Sequence, residues 1–146
     1  MTSMNDKVFL DSNILVYAYD KHDPEKQTKA QELLKKAIKE ESAILSAQVL
    51  GEFFVVITRR IKEPLSINDA EKVIDILSVL PVAEIDLPLV KRAINTQKNY
   101  GISYWDSLIV ATAEREGCEK ILSEDLNDGQ RYNGVLVENP FSRRPE

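Results

Sequence analysis

Val8-Phe9-Leu10-Asp11-Ser12-Asn13-Ile14-Leu15-Val16 is the stretch that decides the fold class. Its first three residues are a brief apolar run, which reads as a buried strand, and the run ends abruptly at an aspartate. The same device recurs along the chain. Ala43-Ile44-Leu45, Val82 to Ile85, Lys120-Ile121-Leu122-Ser123 and Val135-Leu136-Val137 are short apolar runs of strand length. Between them lie helical periods. Asp23-Pro24 opens a helix, with Asp as cap and Pro in the first position. Behind it Ala30, Leu33, Leu34, Ala37 and Ile38 fall on one helical face. Val49 to Ile61 reads as a buried helix. Ser66 to Asp69 resembles a capping box ahead of Ala70, Val73, Ile74, Leu77 and Leu80. Pro88 opens a helix that stops at Gly101, and Ser103 starts another that ends at Gly117. Strands separated by helices are joined by crossovers rather than hairpins. The expected fold is therefore α/β: a three-layer α/β/α arrangement with a mainly parallel sheet of four to five strands. Such sheets place their sites beyond the carboxyl ends of the strands.

A chain of 146 residues is one domain's worth, so a single domain over 1–146 is expected. The net charge of -5 argues against a protein that binds nucleic acid through bulk positive charge. Any such role must rest on a local site. The single cysteine, Cys118, excludes an internal disulfide and a multi-cysteine zinc site. The single histidine, His22, is the one candidate for a Ser-His-Asp triad. No apolar stretch approaches a membrane span and the N-terminus does not read as a signal peptide, so an intracellular, cytoplasmic location is expected.

Four acidic residues are out of place. Asp11 and Asp125 each follow a strand, Glu52 interrupts the apolar stripe of Val49, Val55 and Val56, and Asp106 lies in the first turn of a helix. Each has a purely structural reading: a helix cap for Asp11, a salt bridge to Arg59 or Arg60 for Glu52, a capping box with Ser103 for Asp106, a turn for Asp125. Together they can converge on one rim of a parallel sheet. Two carboxylates about 4 Å apart repel by about 4 kcal/mol at an effective dielectric of about 20. Such a cluster needs protons or a cation. An all-oxygen donor set suits Mg²⁺ or Mn²⁺ rather than zinc, and displacement at phosphorus is the chemistry that most often uses such a site.

These residues, in this order, resemble the PIN-domain nucleases, in particular the VapC-type toxins of toxin–antitoxin pairs. Phe9-Leu10-Asp11-Ser12-Asn13-Ile14-Leu15 is similar to the family's first strand and D-[ST]-N motif. Val49-Leu50-Gly51-Glu52-Phe53 is similar to the helix carrying its glutamate. Tyr104-Trp105-Asp106-Ser107-Leu108-Ile109 and Ile121-Leu122-Ser123-Glu124-Asp125-Leu126 are similar to its third and fourth acidic motifs, with a closing Asn139-Pro140-Phe141. The resemblance spans nearly the whole chain. It implies that Asp11, Glu52, Asp106 and Asp125 are metal-binding, catalytic acids, with Asn13 steadying the first aspartate or a water. Asp11, Asp106 and Asp125 would hold one Mg²⁺ (or Mn²⁺), and Glu52 a second ion or a water. Asn127 stands where many relatives carry a further Asp, and Asp128 is a substitute for it. The implied activity is metal-dependent endoribonuclease cleavage of RNA. The implied partners are a second copy of the chain and a small antitoxin.

For the grip on substrate, Arg59, Arg60 and Lys62 form a basic cluster and Arg143 with Arg144 another. Tyr104 or Trp105 offers a surface for an unpaired base, with core packing the default for Trp105. A Mg²⁺-dependent phosphohydrolase of the haloacid-dehalogenase type also starts with a strand ending in Asp. It needs a second Asp two residues on, where this chain has Asn13. A silent binding module that keeps the fold is the non-enzyme alternative. No P-loop or G-x-S-x-G is present.

Overall fold

Three apolar residues suffice for a strand here because neighbours flank it on both sides. The computed structural model describes residues 7–142. Its strands are β1 (Val8–Leu10), β2 (Ala43–Ser46), β3 (Val82–Ala83), β4 (Lys120–Leu122), β5 (Arg131–Tyr132) and β6 (Val135–Glu138). They form one sheet in the order β3-β2-β1-β4-β6-β5. Every pairing is parallel except β5 with β6. Phe9, Leu45, Ile121 and Val137 are fully buried in this sheet, as apolar runs covered on both faces must be.

Six helices cover the sheet: α1 (Ser12–Tyr19), α2 (Pro24–Glu40), α3 (Ala47–Arg59), α4 (Ile67–Leu77), α5 (Leu87–Tyr100) and α6 (Tyr104–Arg115). The arrangement is the expected three-layer α/β/α. Helix α1 packs on α2 and α3, α3 on α4, and α5 on α6. The main core joins Phe9, Leu15, Phe53, Ile57 and Ile121, and a smaller one joins Leu89, Ala93, Leu108 and Ala111 between α5 and α6.

Each crossover helix starts from its own side-chain cap. Asp23 accepts the Lys26 N–H, Ser66 the Asp69 N–H and Ser103 the Asp106 N–H. Helix α3 starts two residues earlier than the apolar pattern suggests, because Ser46 accepts the Val49 N–H.

The sheet has six strands rather than four or five. The addition is β5, which forms a hairpin with β6 across Asn133-Gly134; this corrects the expectation of crossovers alone. Both turn residues have positive φ, 51° and 85°, as a two-residue primed turn requires. The Tyr100 hydroxyl accepts the Asn133 N–H (2.8 Å), and its ring meets buried Tyr132 edge-on, which pins the hairpin to α5. The basic pair Arg143-Arg144 lies outside the described residues. Among those described, no helix is long and apolar enough to cross a membrane.

Candidate active site

Register places the first two acids. Leu10 pairs with Leu122, so the residues following β1 and β4 emerge side by side at the carboxyl rim. Asp11 is 2% exposed. Its Oδ1 accepts the Ser12 N–H (2.7 Å), which caps α1, and its Oδ2 accepts the Ser123 hydroxyl (2.7 Å). The same Ser123 oxygen accepts the Asp125 N–H (3.1 Å). Asn13 completes the link: its Nδ2 donates to Asp125 Oδ2 (3.2 Å) and, at 3.5 Å, to Asp11 Oδ2, while its Oδ1 accepts the Glu124 N–H. Asp11 thus caps α1, as expected, and its other oxygen is tied through Ser123 to the segment that carries Asp125.

The other two acids arrive on helices. Glu52 stands in the second turn of α3, behind the Ser46 cap, and Asp106 in the first turn of α6, behind Ser103. The salt-bridge reading of Glu52 is not what the structure contains: among the described residues Glu52 forms no ion pair. Its Oε1 is buried with no hydrogen-bond partner.

These four carboxylates share one electrostatic field. Burial, and then the charge of Asp11, push the Glu52 carboxyl up to about 7, with Asp106 and Asp125 adding to the rise and Gln48 opposing it. Burial also raises Asp11; the hydrogen bonds from Ser123 and Ser12 work against it, and Asp125 and Asp106 add to it. Asp106 is raised by burial and by Asp125, against the pull of Ser103. Among the described residues no group of three or more His, Cys, Asp or Glu stands close enough to hold an ion as it is. The carboxylates share a field and not yet a coordination shell. Their kind fits a hard divalent cation all the same: every donor is an oxygen, one buried oxygen lacks any partner, and three of the groups resist their own ionisation.

Cys118 does not supply a nucleophile. The Cys118 thiol is buried and pushed up to about 12, far from any thiolate chemistry. His22 lies in a cleft of about 520 Å³ with Asn13, Tyr17, Arg60, Lys62 and Asp125. A second cleft of about 750 Å³ carries Glu52, Gln48, Val55, Ile85, Trp105 and again Arg60.

Of the basic cluster, Arg60 and Lys62 line these clefts and Arg59 lines neither. Trp105 is 60% exposed, which overturns the expectation of core packing; its ring meets Tyr104 edge-on beside Asp106. Asn127 and Asp128 are engaged in the turn before β5: Asn127 donates to Gln130, and Asp128 accepts the Asn139 N–H. Sequence reading passed over Ser123, which ties the two strand-end aspartates together. Its signal was present, a small hydroxyl residue two positions before an aspartate at a strand end.

The PIN domain family model matches residues 8–131, from β1 through the whole acidic rim. The chain belongs to the PIN domain family. Its PIN relatives include Ribonuclease VapC1 of Aquifex aeolicus, 23% identical over 140 residues and 96% of each chain. Solved structures with the same fold include the sarcin-ricin loop cleaving toxin VapC20 of Mycobacterium tuberculosis. That structure has a TM-score of 0.65 at 19% identity, over 82% of this chain and 90% of that one. A DNA-bound VapBC from Salmonella typhimurium gives 0.68 at 16% identity, over 92% and 98%. A toxin–antitoxin complex from Klebsiella pneumoniae gives 0.68 at 18%, over 94% and 100%. The PIN match sets aside the haloacid-dehalogenase alternative.

Proposed function

We propose that the protein is a divalent-metal-dependent endoribonuclease, the toxin of a type II toxin–antitoxin pair, acting as one nuclease domain over 1–146 in the cytoplasm. The observation that supports the reading best is a buried, unpartnered Glu52 Oε1 whose carboxyl feels the charges of Asp11, Asp106 and Asp125, within a PIN domain. Asp11, Asp106 and Asp125 would hold one Mg²⁺ or Mn²⁺, and Glu52 would hold a second ion or a water. Such an ion supplies the positive charge that lets an acidic pocket accept a phosphodiester and eases attack by water at phosphorus.

The chain's own residues supply the rest. Ser123 and Asn13 hold Asp11 and Asp125 in one orientation, so little rearrangement is needed when the substrate arrives. Arg60 and Lys62 contact phosphates in the cleft beside Asp125. The exposed Trp105 gives an unpaired base a stacking surface in the second cleft, which Glu52 and Arg60 also line. VapBC and other toxin–antitoxin complexes share this fold, and a small antitoxin and a second copy of the chain are the partners this reading assigns.

The test is cleavage of pooled cellular RNA by the purified protein with Mg²⁺, with Mn²⁺ and with EDTA, using Asp11→Asn as control. Discrete metal-dependent fragments that vanish in the variant support the reading. Fragments that persist in the variant point to a contaminant. Intact RNA under every condition, with metal still bound, favours the silent binding module.

A further inference from the structure

Asp125 is exposed, and a single 3.2 Å side-chain bond, from Asn13, fixes its carboxylate. Its neighbour in sequence is fixed far more firmly. Glu124 turns away from the rim towards α1 and α2, where its Oε1 accepts the Tyr17 hydroxyl (2.7 Å) and its Oε2 meets Lys26 Nζ (2.6 Å). Lys26 also donates to the Tyr17 oxygen (3.1 Å), which closes the triangle. The lysine is stacked as well as paired: its Nζ lies 4.6 Å from the Tyr17 ring centre and 5.5 Å from that of Phe141, and those rings meet edge-on. Its backbone is the donor to the Asp23 cap, so its origin on α2 is fixed too.

We propose that Lys26, Tyr17 and Glu124 form an anchor that sets the direction of Asp125, and that Lys26 and Tyr17 are positioning residues for the acidic rim. The inference rests on the reading of Asp125 as a metal-binding carboxylate. Its logic is geometric. Residues 123–125 form one short turn after β4. Ser123 and Asp125 bond to Asp11 and Asn13, the Glu124 carboxylate bonds instead to Tyr17 and Lys26, and the Glu124 N–H bridges to Asn13. Rotation of the peptide units around Glu124 carries Asp125 with it, and the anchor opposes that rotation. The anchor has a second effect. A fifth carboxylate one residue from the rim is held outside it by a lysine, so Glu124 does not compete for the cation. The Lys26–Glu124 contact is more than an isolated surface pair, because the Tyr17 hydroxyl and two aromatic rings share it.

The experiment is Mn²⁺ binding to the whole protein without RNA, followed by the free-ion electron paramagnetic resonance signal, with the metal-free melting curve recorded for each variant. Partners that orient metal ligands change affinity by about 10- to 100-fold when removed. Lys26→Met and Glu124→Gln are each expected to weaken Mn²⁺ binding about tenfold, with the double variant no weaker than the worse single one. Lys26→Arg is expected to restore most of the affinity. In cleavage, the loss appears in the Mn²⁺ concentration for half-activation and fades at saturating metal.

Unchanged Mn²⁺ affinity in a folded Lys26→Met overturns the proposal. So does a double variant whose losses simply add. Where Lys26→Met fails to fold, Tyr17→Phe removes one hydroxyl and is expected to weaken binding in the same direction by a smaller factor; no change there also overturns it. Asp125→Asn separates the two levels. If it leaves Mn²⁺ binding intact, the reading of Asp125 as a ligand fails and the anchor with it. If it abolishes binding while Lys26→Met does not alter it, the anchor alone fails.

Discussion

The acids at the strand ends and the acids on the helices are held in opposite ways. Asp11 and Asp125 sit in a mesh of hydrogen bonds through Ser123 and Asn13. Glu52 and Asp106 reach the same rim from α3 and α6, and Glu52 presents a buried oxygen that nothing satisfies. A buried unpaired polar atom is costly, and a carboxylate among carboxylates more so. One side of the rim is thus tied together by hydrogen bonds, and the other carries an unsatisfied buried oxygen. The lesson is that the fold already satisfies the strand-end acids, whereas an arriving cation would bring the most relief at Glu52.

The sharpest way to break this comparison is Asp11→Asn. Loss of a carboxylate central to the field is expected to cost several kcal/mol in the transition state, a fall in RNA cleavage on the order of a thousandfold. Asn keeps the helix cap, so the metal-free melting temperature is expected to hold or rise as repulsion is relieved. A large fall in that temperature, with cleavage retained, returns Asp11 to a cap and nothing more.

Next in size is the metal response. Mn²⁺ at about 100 times its dissociation constant stabilises by about 2.7 kcal/mol, or about 5–10 °C in a domain of this size. Both Asp11→Asn and Glu52→Gln are expected to remove most of that rise in calorimetry.

Acidity sharpens the contrast further. Glu52 is raised from the ordinary carboxylate range to about 7, so the folded chain binds its proton more tightly than the unfolded chain. The Glu52 contribution to the stability of the metal-free protein is therefore fully present below the ordinary carboxylate pKa and is lost as pH rises through about 7. Asp11 and Asp106, also raised, act in the same direction. The denaturant midpoint of the unaltered chain is expected to lose ground to that of Glu52→Gln as pH rises across that window, less so with Mn²⁺ present. A flat profile removes the shared field.

The smallest expected effects concern grip. Trp105→Ala removes a stacking surface and raises KM by about 5- to 100-fold. Lys62→Ala lowers the salt slope of RNA binding by about one, and Arg59→Ala, which faces neither cleft, leaves KM unchanged.

Much of this was legible in the sequence. Strand-length apolar runs ending in Asp11 and near Asp125 dictated both the parallel sheet and the rim, because burial on two faces leaves no room for alternation. Glu52 stood out because a carboxylate on an apolar stripe demands a reason. Other features depend on tertiary context. Arg131-Tyr132 is too short to show a strand period, and Asn133-Gly134 alone announces the hairpin. Trp105 looked like core because large aromatics usually are, and no local pattern says which face of a first turn meets solvent. Glu124 and Lys26 are 98 residues apart in sequence, and a single chain carries no mark that two such charges meet.

The two-residue outer strands carry a consequence for assembly. A long, flat sheet margin offers a row of free amides and carbonyls on which a foreign strand can settle. Here β3 and β5, the margins of the sheet, are each only two residues long, too short for an added strand to gain a stable ladder. Strand addition at either margin is thereby disfavoured, and with it the fibrous stacking that open sheets invite.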